Sequence, residues 1–293
     1  MPATRRRLQL GPEPSSTGGT PPSPAARPWA RRRFALLAAV ALTAFAGLAS
    51  GLAAAPAPQR VAILVYHRFD PATPAPTTVT IPAFQGQLAW LARHHYRIEP
   101  LRTALAELDG AAPSGGPVAV ITADDGHKSV YTELFPVIRA QRIPVTLFIY
   151  PSAISNAPYA LTWAQLREMQ ASGLVDVESH TYWHPNFRTE RRRLGAAAYQ
   201  AFVDVQLQRS KAVIERELGK PVGMLAWPFG IVDTDLEAAA RRAGYTAGFG
   251  YGGGPAGAGG DRLALPRIPV GDADRGDRFG ARIGAAKAER AAS

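Results

Sequence analysis

Short apolar runs alternate with helix-patterned segments over most of the chain, and no other feature limits the fold as tightly. The runs Arg60–Tyr66, Pro117–Thr122, Val145–Tyr150, Val175–Ser179, Val222–Ala226, Tyr245–Phe249 and Ala264–Pro269 read as strands. Between them lie helices. Ile81–His94 places Phe84, Leu88, Leu91 and Ala92 on one face, and Val130–Gln141 spaces Tyr131, Leu134, Phe135 and Ile138 at helical intervals. Leu101–Leu108, Ala197–Leu218 and Asp235–Ala243 are further helices, and another opens at a Thr162/Gln165 capping box and closes at Gly173. Strand-helix alternation predicts a parallel α/β sheet with right-handed crossovers. His67, Asp124, His180 and Phe229 fall at C-terminal strand ends, where a (β/α) barrel gathers its chemistry.

Two of those strand ends carry the informative side chains. Asp124-Asp125-Gly126 follows the apolar run Val118-Ala119-Val120-Ile121, and His180 and His184 stand four residues apart after Leu174-Val175-Asp176-Val177. One carboxylate and two imidazoles make a three-ligand site for a divalent metal with an open position for water or substrate. The spare Asp is then a candidate base toward that water. Taken alone, Asp-Asp-Gly is also a common turn, since Asp bonds its own backbone and Gly accepts positive φ.

These residues resemble the polysaccharide deacetylases with a NodB-type domain, carbohydrate esterase family four. Thr122-Ala123-Asp124-Asp125-Gly126 is similar to the family's first motif, Ser179-His180-Thr181-Tyr182-Trp183-His184-Pro185 to its second, and Ala226-Trp227-Pro228-Phe229-Gly230 to a divergent third. The resemblance covers roughly residues 60–270. Leu64-Val65-Tyr66-His67 and Pro266-Arg267-Ile268-Pro269-Val270 are similar to the branch that deacetylates poly-β-1,6-N-acetylglucosamine. The resemblance implies a distorted barrel with seven (β/α) units, Asp124 as base, Asp125, His180 and His184 as metal ligands, and the Phe229 N–H as an oxyanion donor.

The departures point elsewhere in the chain. Ala123 replaces a Phe of the family pattern, and Ala226 stands where many members carry an Arg that pairs with the base. Arg267, on a late strand end, is the expected replacement, holding Asp124 ionised, and is counted with Trp183 and Trp227 among the expected substrate-binding residues. No His follows His184, so the acid many members take from a late motif must come from elsewhere; His67 is the candidate. Trp183 and Trp227 sit inside motifs, as sugar-binding faces or as core. His94 and His95 read as a helix cap, His127 as an exposed turn residue, Arg191-Arg192-Arg193 as a solvated run, and Gly252-Gly253-Gly254 as part of a flexible loop over 250–260.

The absence of Cys leaves oxygen and nitrogen donors for the metal. Zinc is the expected ion, with cobalt, nickel and manganese also suited to such donors. The net charge of +10 is mostly local. Residues 1–33 hold seven Arg against one Glu, so the rest of the chain is only mildly basic and no nucleic-acid partner is expected. That stretch reads as a disordered basic tail. Residues 34–55, apolar and preceded by Arg31-Arg32-Arg33, read as a signal peptide or membrane anchor. The expected location is therefore exported: periplasmic, extracellular, or anchored to the inner membrane and facing outward. Residues 56–59 read as a linker, 60–273 as the deacetylase domain, and 274–293 as a flexible tail.

The expected function is metal-dependent removal of N-acetyl groups from N-acetylglucosamine units of a cell-surface or exopolysaccharide, poly-β-1,6-N-acetylglucosamine first. A polysaccharide synthase or export machinery is a further expected partner. A peptidoglycan or chitin deacetylase, an O-acetyl esterase, and a catalytically weak carbohydrate-binding module are the alternatives. A glycosidase fits less well, because adjacent Asp residues on one strand end do not flank a sugar bond from opposite sides.

Overall fold

In the computed structural model of the protein, residues 60–111 and 115–284 are described. In chain order these are β1 (Arg60–Tyr66), β2 (Arg68–Asp70), β3 (Thr78–Thr80), α1 (Ile81–Arg93), β4 (Arg97–Ile98), α2 (Leu101–Leu108) and β5 (Val118–Asp125). A π-helical turn, Val130–Leu134, leads into α3 (Phe135–Gln141). Next come β6 (Val145–Ile149), α4 (Trp163–Ala171), β7 (Val175–Ser179), α5 (Phe187–Arg193), α6 (Ala196–Leu218) and β8 (Met224–Ala226). The chain continues through α7 (Thr234–Arg242), β9 (Ala247–Phe249), β10 (Ala256–Gly257), β11 (Ile268–Pro269) and α8 (Asp277–Arg282).

The main sheet runs β10-β1-β5-β6-β7-β8-β9, parallel throughout except where β10 meets β1. The segment after the glycine-rich stretch draws its two edges together. Leu265 bridges to Phe249 of β9, and three residues later Ile268 and Pro269 pair with Leu64 and Val65 of β1. The sheet is thus a curled, partly open, mixed sheet surrounded by helices, the distorted seven-unit NodB-type barrel expected from the sequence.

Residue parity explains the core. Successive side chains of a strand face opposite sides, so Val61, Ile63, Val118 and Val120 join Phe148, Ala226, Phe249 and Leu265 in one apolar cluster, closed by Leu101 and Leu105 of α2. Ala62, Leu64, Ala119, Ile121 and Leu147 turn the other way, into the larger cluster shared with the remaining helices. Strands covered on both faces need near-continuous apolar runs, which is why the sequence shows them. The predicted capping box is present in both halves: Thr162 Oγ1 accepts from Gln165 N, and Gln165 Oε1 from Thr162 N.

At the narrow β7–β8 junction only Ser179 and Leu225 are in register. The buried Glu178 carboxylate reinforces it, accepting from the backbone N–H groups of Gly223 (3.0 Å) and Met224 (2.8 Å) and pairing with Arg102 and Lys220.

Several expectations change. Phe187–Arg193 is helical: Asn186 caps it by accepting from Thr189 N, Phe187 is buried, and Arg191 pairs with Asp233 and Asp235. The loop over 250–260 contains β10, where Ala256 and Gly257 pair with Val61 and Arg60. Beyond residue 273 lies α8, whose buried Phe279 meets Trp90 edge-on at 5.5 Å. His94 does not simply cap a helix in solvent; its ring stacks on Trp90 at 3.6 Å.

The membrane partner and the inner-membrane location expected from residues 34–55 are corrected. Among the described residues no helix is long and apolar enough to cross a membrane. The longest, α6, carries Asp204, Arg209, Lys211, Glu215, Arg216 and Glu217 along its length, and burying such charges in hydrocarbon is costly. Residues 34–55 themselves lie outside the described residues.

Candidate active site

At the C-terminal end of β5 the two adjacent carboxylates take different environments. Asp124 keeps the parity of Val118 and Val120 and points inward, where it is 1% exposed. Asp125 should face away, but its φ of 71° turns the backbone and brings its carboxylate to the same cavity. Gly126 follows with φ 71°; a Cβ there would stand 3.0 Å from both Ile149 and Ile154, so only glycine fits this turn.

Asp124 is gripped by Arg267 in a two-pronged pair, both N···O distances being 2.7 Å. Arg267 is 0% exposed, and its other donor groups reach the Gly250 carbonyl (2.9 Å) and Thr122 Oγ1 (3.3 Å). Burial alone would push the Asp124 carboxyl up, but the Arg267 guanidinium, by its charge and its hydrogen bonds, brings it down to about 2. The side chain expected to replace the missing Arg at position 226 is therefore in contact with Asp124. All of it is buried, so it does not reach toward a substrate.

His180 and His184 come from the loop after β7. The His180 Nδ1 lies 2.8 Å from the Ala226 carbonyl, which can only accept, so Nδ1 carries the proton and Nε2 is left with its lone pair. Burial pulls the His180 pKa down to about 3 and lowers that of His184, keeping both rings neutral. Their Nε2 atoms stand 3.7 and 3.8 Å from Asp125 Oδ1. One donor atom from each of Asp125, His180 and His184 lies within 4.8 Å of the others. Two neutral imidazoles, one fixed from behind by a carbonyl, and one carboxylate are the donor chemistry of a divalent-metal centre. Burial and the adjacent Asp124 push the Asp125 pKa up, the penalty a cation between the three groups would relieve.

The cavity holding these groups has a volume of about 430 Å³ and is also lined by His67, Arg68, Thr77, Trp227, Phe229 and Tyr251. His67 meets Tyr251 edge-on at 5.8 Å. Phe229 adopts φ 56°, and its exposed ring lies 4.7 Å from that of His184. The two motif tryptophans part company. Trp227 is 0% exposed, donates its indole N–H to the Leu263 carbonyl (2.7 Å), and has no free face for a sugar. Trp183 is 43% exposed but packs on Phe202 of α6 and does not line this cavity. His127 lies outside it too, with Nδ1 engaged by Ser129 Oγ at 2.8 Å. Arg68 and Tyr251 had no motif to mark them; Tyr251 sits in a glycine-rich stretch that reads only as loop.

Residues 111–248 match the sequence model of the polysaccharide deacetylase family. The chain carries a NodB-type polysaccharide deacetylase domain. The matched segment holds Asp124, Asp125, His180, His184 and Phe229, while His67, Tyr251 and Arg267 lie outside it. The poly-β-1,6-N-acetyl-D-glucosamine N-deacetylase of Staphylococcus epidermidis is 26% identical over 177 residues, which are 59% of this chain and 61% of that protein. The chain thus matches about three-fifths of the length of that relative. In structure it is similar to the Streptococcus pyogenes deacetylase PplD, with a TM-score of 0.69 at 21% identity, covering 78% of this chain and 99% of that one. A de-N-acetylase from Aggregatibacter actinomycetemcomitans gives 0.68 at 21% identity, covering 76% and 100%. At such identities the structural likeness speaks for the deacetylase fold.

Proposed function

We propose that this protein is a metal-dependent deacetylase that hydrolyses the acetamide of N-acetylglucosamine units in an acetylated sugar polymer, poly-β-1,6-N-acetylglucosamine. The observation that carries the reading is the junction, in one cavity, of the Asp125–His180–His184 donor set with the Arg267-paired Asp124. The choice of polymer leans on the likeness to the staphylococcal enzyme.

Asp125, His180 and His184 would hold a divalent ion, zinc suiting the donors best, and the ion would supply positive charge for polarising the acetamide carbonyl and acidifying water. The chain's own groups do the remaining work. Asp124, ionised at any working pH, accepts a proton from the attacking water. The Phe229 N–H donates to the oxygen that gains charge as the carbonyl is attacked. His67, on the wall of the same cavity, gives a proton to the departing amine.

Acetate release from β-1,6- and β-1,4-linked N-acetylglucosamine oligomers, with and without chelator, tests this reading. Release is expected from the β-1,6 series, abolished by chelation and restored by zinc. His180→Ala/His184→Ala is expected to lose the bound ion. Chelator-resistant release, or full metal content in that double variant, overturns the mechanism; preference for the β-1,4 series moves the substrate to chitin or peptidoglycan.

His67→Ala is expected to keep the metal and lose turnover by about 10²-fold or more. A fully active His67→Ala beside an inactive His127→Ala would transfer the acid role to His127.

A further inference from the structure

The main sheet consists of two well-laddered blocks that meet at a thin seam. β5 with β6, and β6 with β7, pair over five residues each, and β8 pairs with β9 over three. Between β7 and β8 the register is the single pair Ser179–Leu225. The candidate metal centre straddles that seam. Asp125, His180 and His184 follow strands of the first block, and the backbone N–H of His180 donates to the Ile149 carbonyl of β6 (2.8 Å). The carbonyl that orients the His180 ring belongs to Ala226, the last residue of β8 (2.8 Å). The backbone of His180 is thus held by one block and its ring by the other, so a slip of β8 against β7 carries the carbonyl away from Nδ1.

A one-pair junction leaves backbone donors around the start of β8 without a strand partner, and buried N–H groups need one. Glu178 supplies it. Its register partner Phe148 belongs to the inner apolar cluster, so Glu178 points into the barrel, where it is 0% exposed. Its Oε2 accepts from Gly223 N (3.0 Å) and Met224 N (2.8 Å), while Oε1 meets Arg102 Nη2 and Lys220 Nζ (3.4 Å). Among the described residues no other side chain of β7 bonds to β8 or to the residue before it: Asp176 pairs with Arg102 and Lys220, and Ser179 with Ser210 Oγ. Replacing a buried ion pair by well-packed carbon is often neutral or stabilising. Stability alone therefore does not require a carboxylate here, two positions before the ligand whose aim depends on the seam.

We propose that Glu178 is a positioning residue for the candidate metal centre: by clamping β8 to β7 it keeps the Ala226 carbonyl on His180 Nδ1, and so keeps Nε2 of that ring free and turned toward Asp125. It acts through Ala226 and not by contact with ion or substrate. The proposal rests on the reading of Asp125, His180 and His184 as metal ligands, and adds what holds the most buried of them in aim.

The test uses three substitutions in the full chain. Glu178→Asp withdraws the carboxylate by one methylene and keeps its charge. Glu178→Met fills the space with an apolar side chain that accepts from neither N–H. Glu178→Gln keeps the length, and its amide oxygen can still accept from Gly223 and Met224. Nitrogen NMR of the metal-free protein is expected to show His180 protonated at Nδ1 in the native chain and in Glu178→Gln, and a mixture of tautomers in Glu178→Asp and Glu178→Met. Zinc titration is expected to show affinity lowered about 10–100-fold in Glu178→Asp and Glu178→Met, the usual cost of losing a group that orients a ligand. Affinity stays close to native in Glu178→Gln, although that variant gives up its charge pairing with Arg102 and Lys220 and unfolds more easily. A residue that only braced the sheet would change stability in all three and leave tautomer and affinity alone. Circular dichroism checks folding, and a defect in Glu178→Asp or Glu178→Met leaves the other informative. Native tautomer and affinity in whichever of those two folds, or losses in Glu178→Gln as large as theirs, overturns the clamp. The expected order of tautomers in a chain that binds no zinc leaves the clamp in place and overturns the metal reading instead.

Discussion

Arg267→Met is expected to lower the unfolding free energy by about 3–5 kcal/mol, because it leaves a buried carboxylate without its cation. The pair is unusually dependent on one residue: Asp124 and Arg267 are both almost fully buried and held by two 2.7 Å bonds. The sign with pH follows from the direction of the shift. The Asp124 pKa is lowered to about 2, so the stability it contributes in the native protein is complete above the unfolded value of about 3.9 and is lost as pH falls through about 2. In Arg267→Met burial acts unopposed by the guanidinium, Asp124 is pushed upward, and the variant recovers stability as acid protonates it. Chemical unfolding of metal-free protein at neutral pH and near pH 4 should therefore show a gap between native and variant that narrows on acidification. A gap constant with pH would mean that the loss comes from packing on Phe148, over whose ring the guanidinium lies at 5.3 Å, and not from charge.

Asp124→Asn is expected to cost about 10²–10⁴-fold in turnover, the usual contribution of a positioned base. The amide has the volume of the carboxylate and can still accept from Arg267, so the cavity keeps its form. It cannot take a proton from water. Metal content should be unchanged, since Asp125, His180 and His184 are untouched, and thermal stability should fall because Arg267 loses its counter-charge. Near-native turnover in Asp124→Asn would show that another group activates the water. Loss of the ion would show that Asp124, 3.8 Å from His180 Nε2, belongs to the ligand set instead.

The elements legible in the sequence were those whose side chains report their environment. β1, α2 and β7 have the bounds that their apolar runs predict, because each run is the set of residues the core covers. The candidate metal donors Asp125, His180 and His184 were readable because strand ends place them by rule. Arg267 was readable only through an absence, that of a cation at position 226. The missed elements are held by something other than pattern. α8 has six residues and one buried large side chain, Phe279, too few to set up a period. β10 is Ala256-Gly257, joined to β1 through backbone groups that carry no sequence signal. α5 is signalled by its Asn186 cap and Phe187, but three successive Arg residues obscure it. A motif position likewise does not say which way an indole points, so Trp227 was equally readable as sugar platform and as core until its N–H was seen to bond Leu263.

The closing of the sheet by residues 265–269 has a consequence for the order in which the chain becomes whole. Asp125, His180 and His184 are all present once β7 and its following loop have formed, but the guanidinium that neutralises Asp124 lies 143 positions further along than Asp124 itself. Until Leu265 reaches β9 and Ile268 reaches β1, the inner carboxylate has no partner and is better off in water. The barrel interior therefore has reason to stay wet at that end until late, and the docking of a strip five residues long dries the interior and completes the charge pair in a single event. Such long-range closure is slow by its loop entropy. Nascent or partly opened chains would hold Asp125, His180 and His184 together while Asp124 still lacked its guanidinium partner.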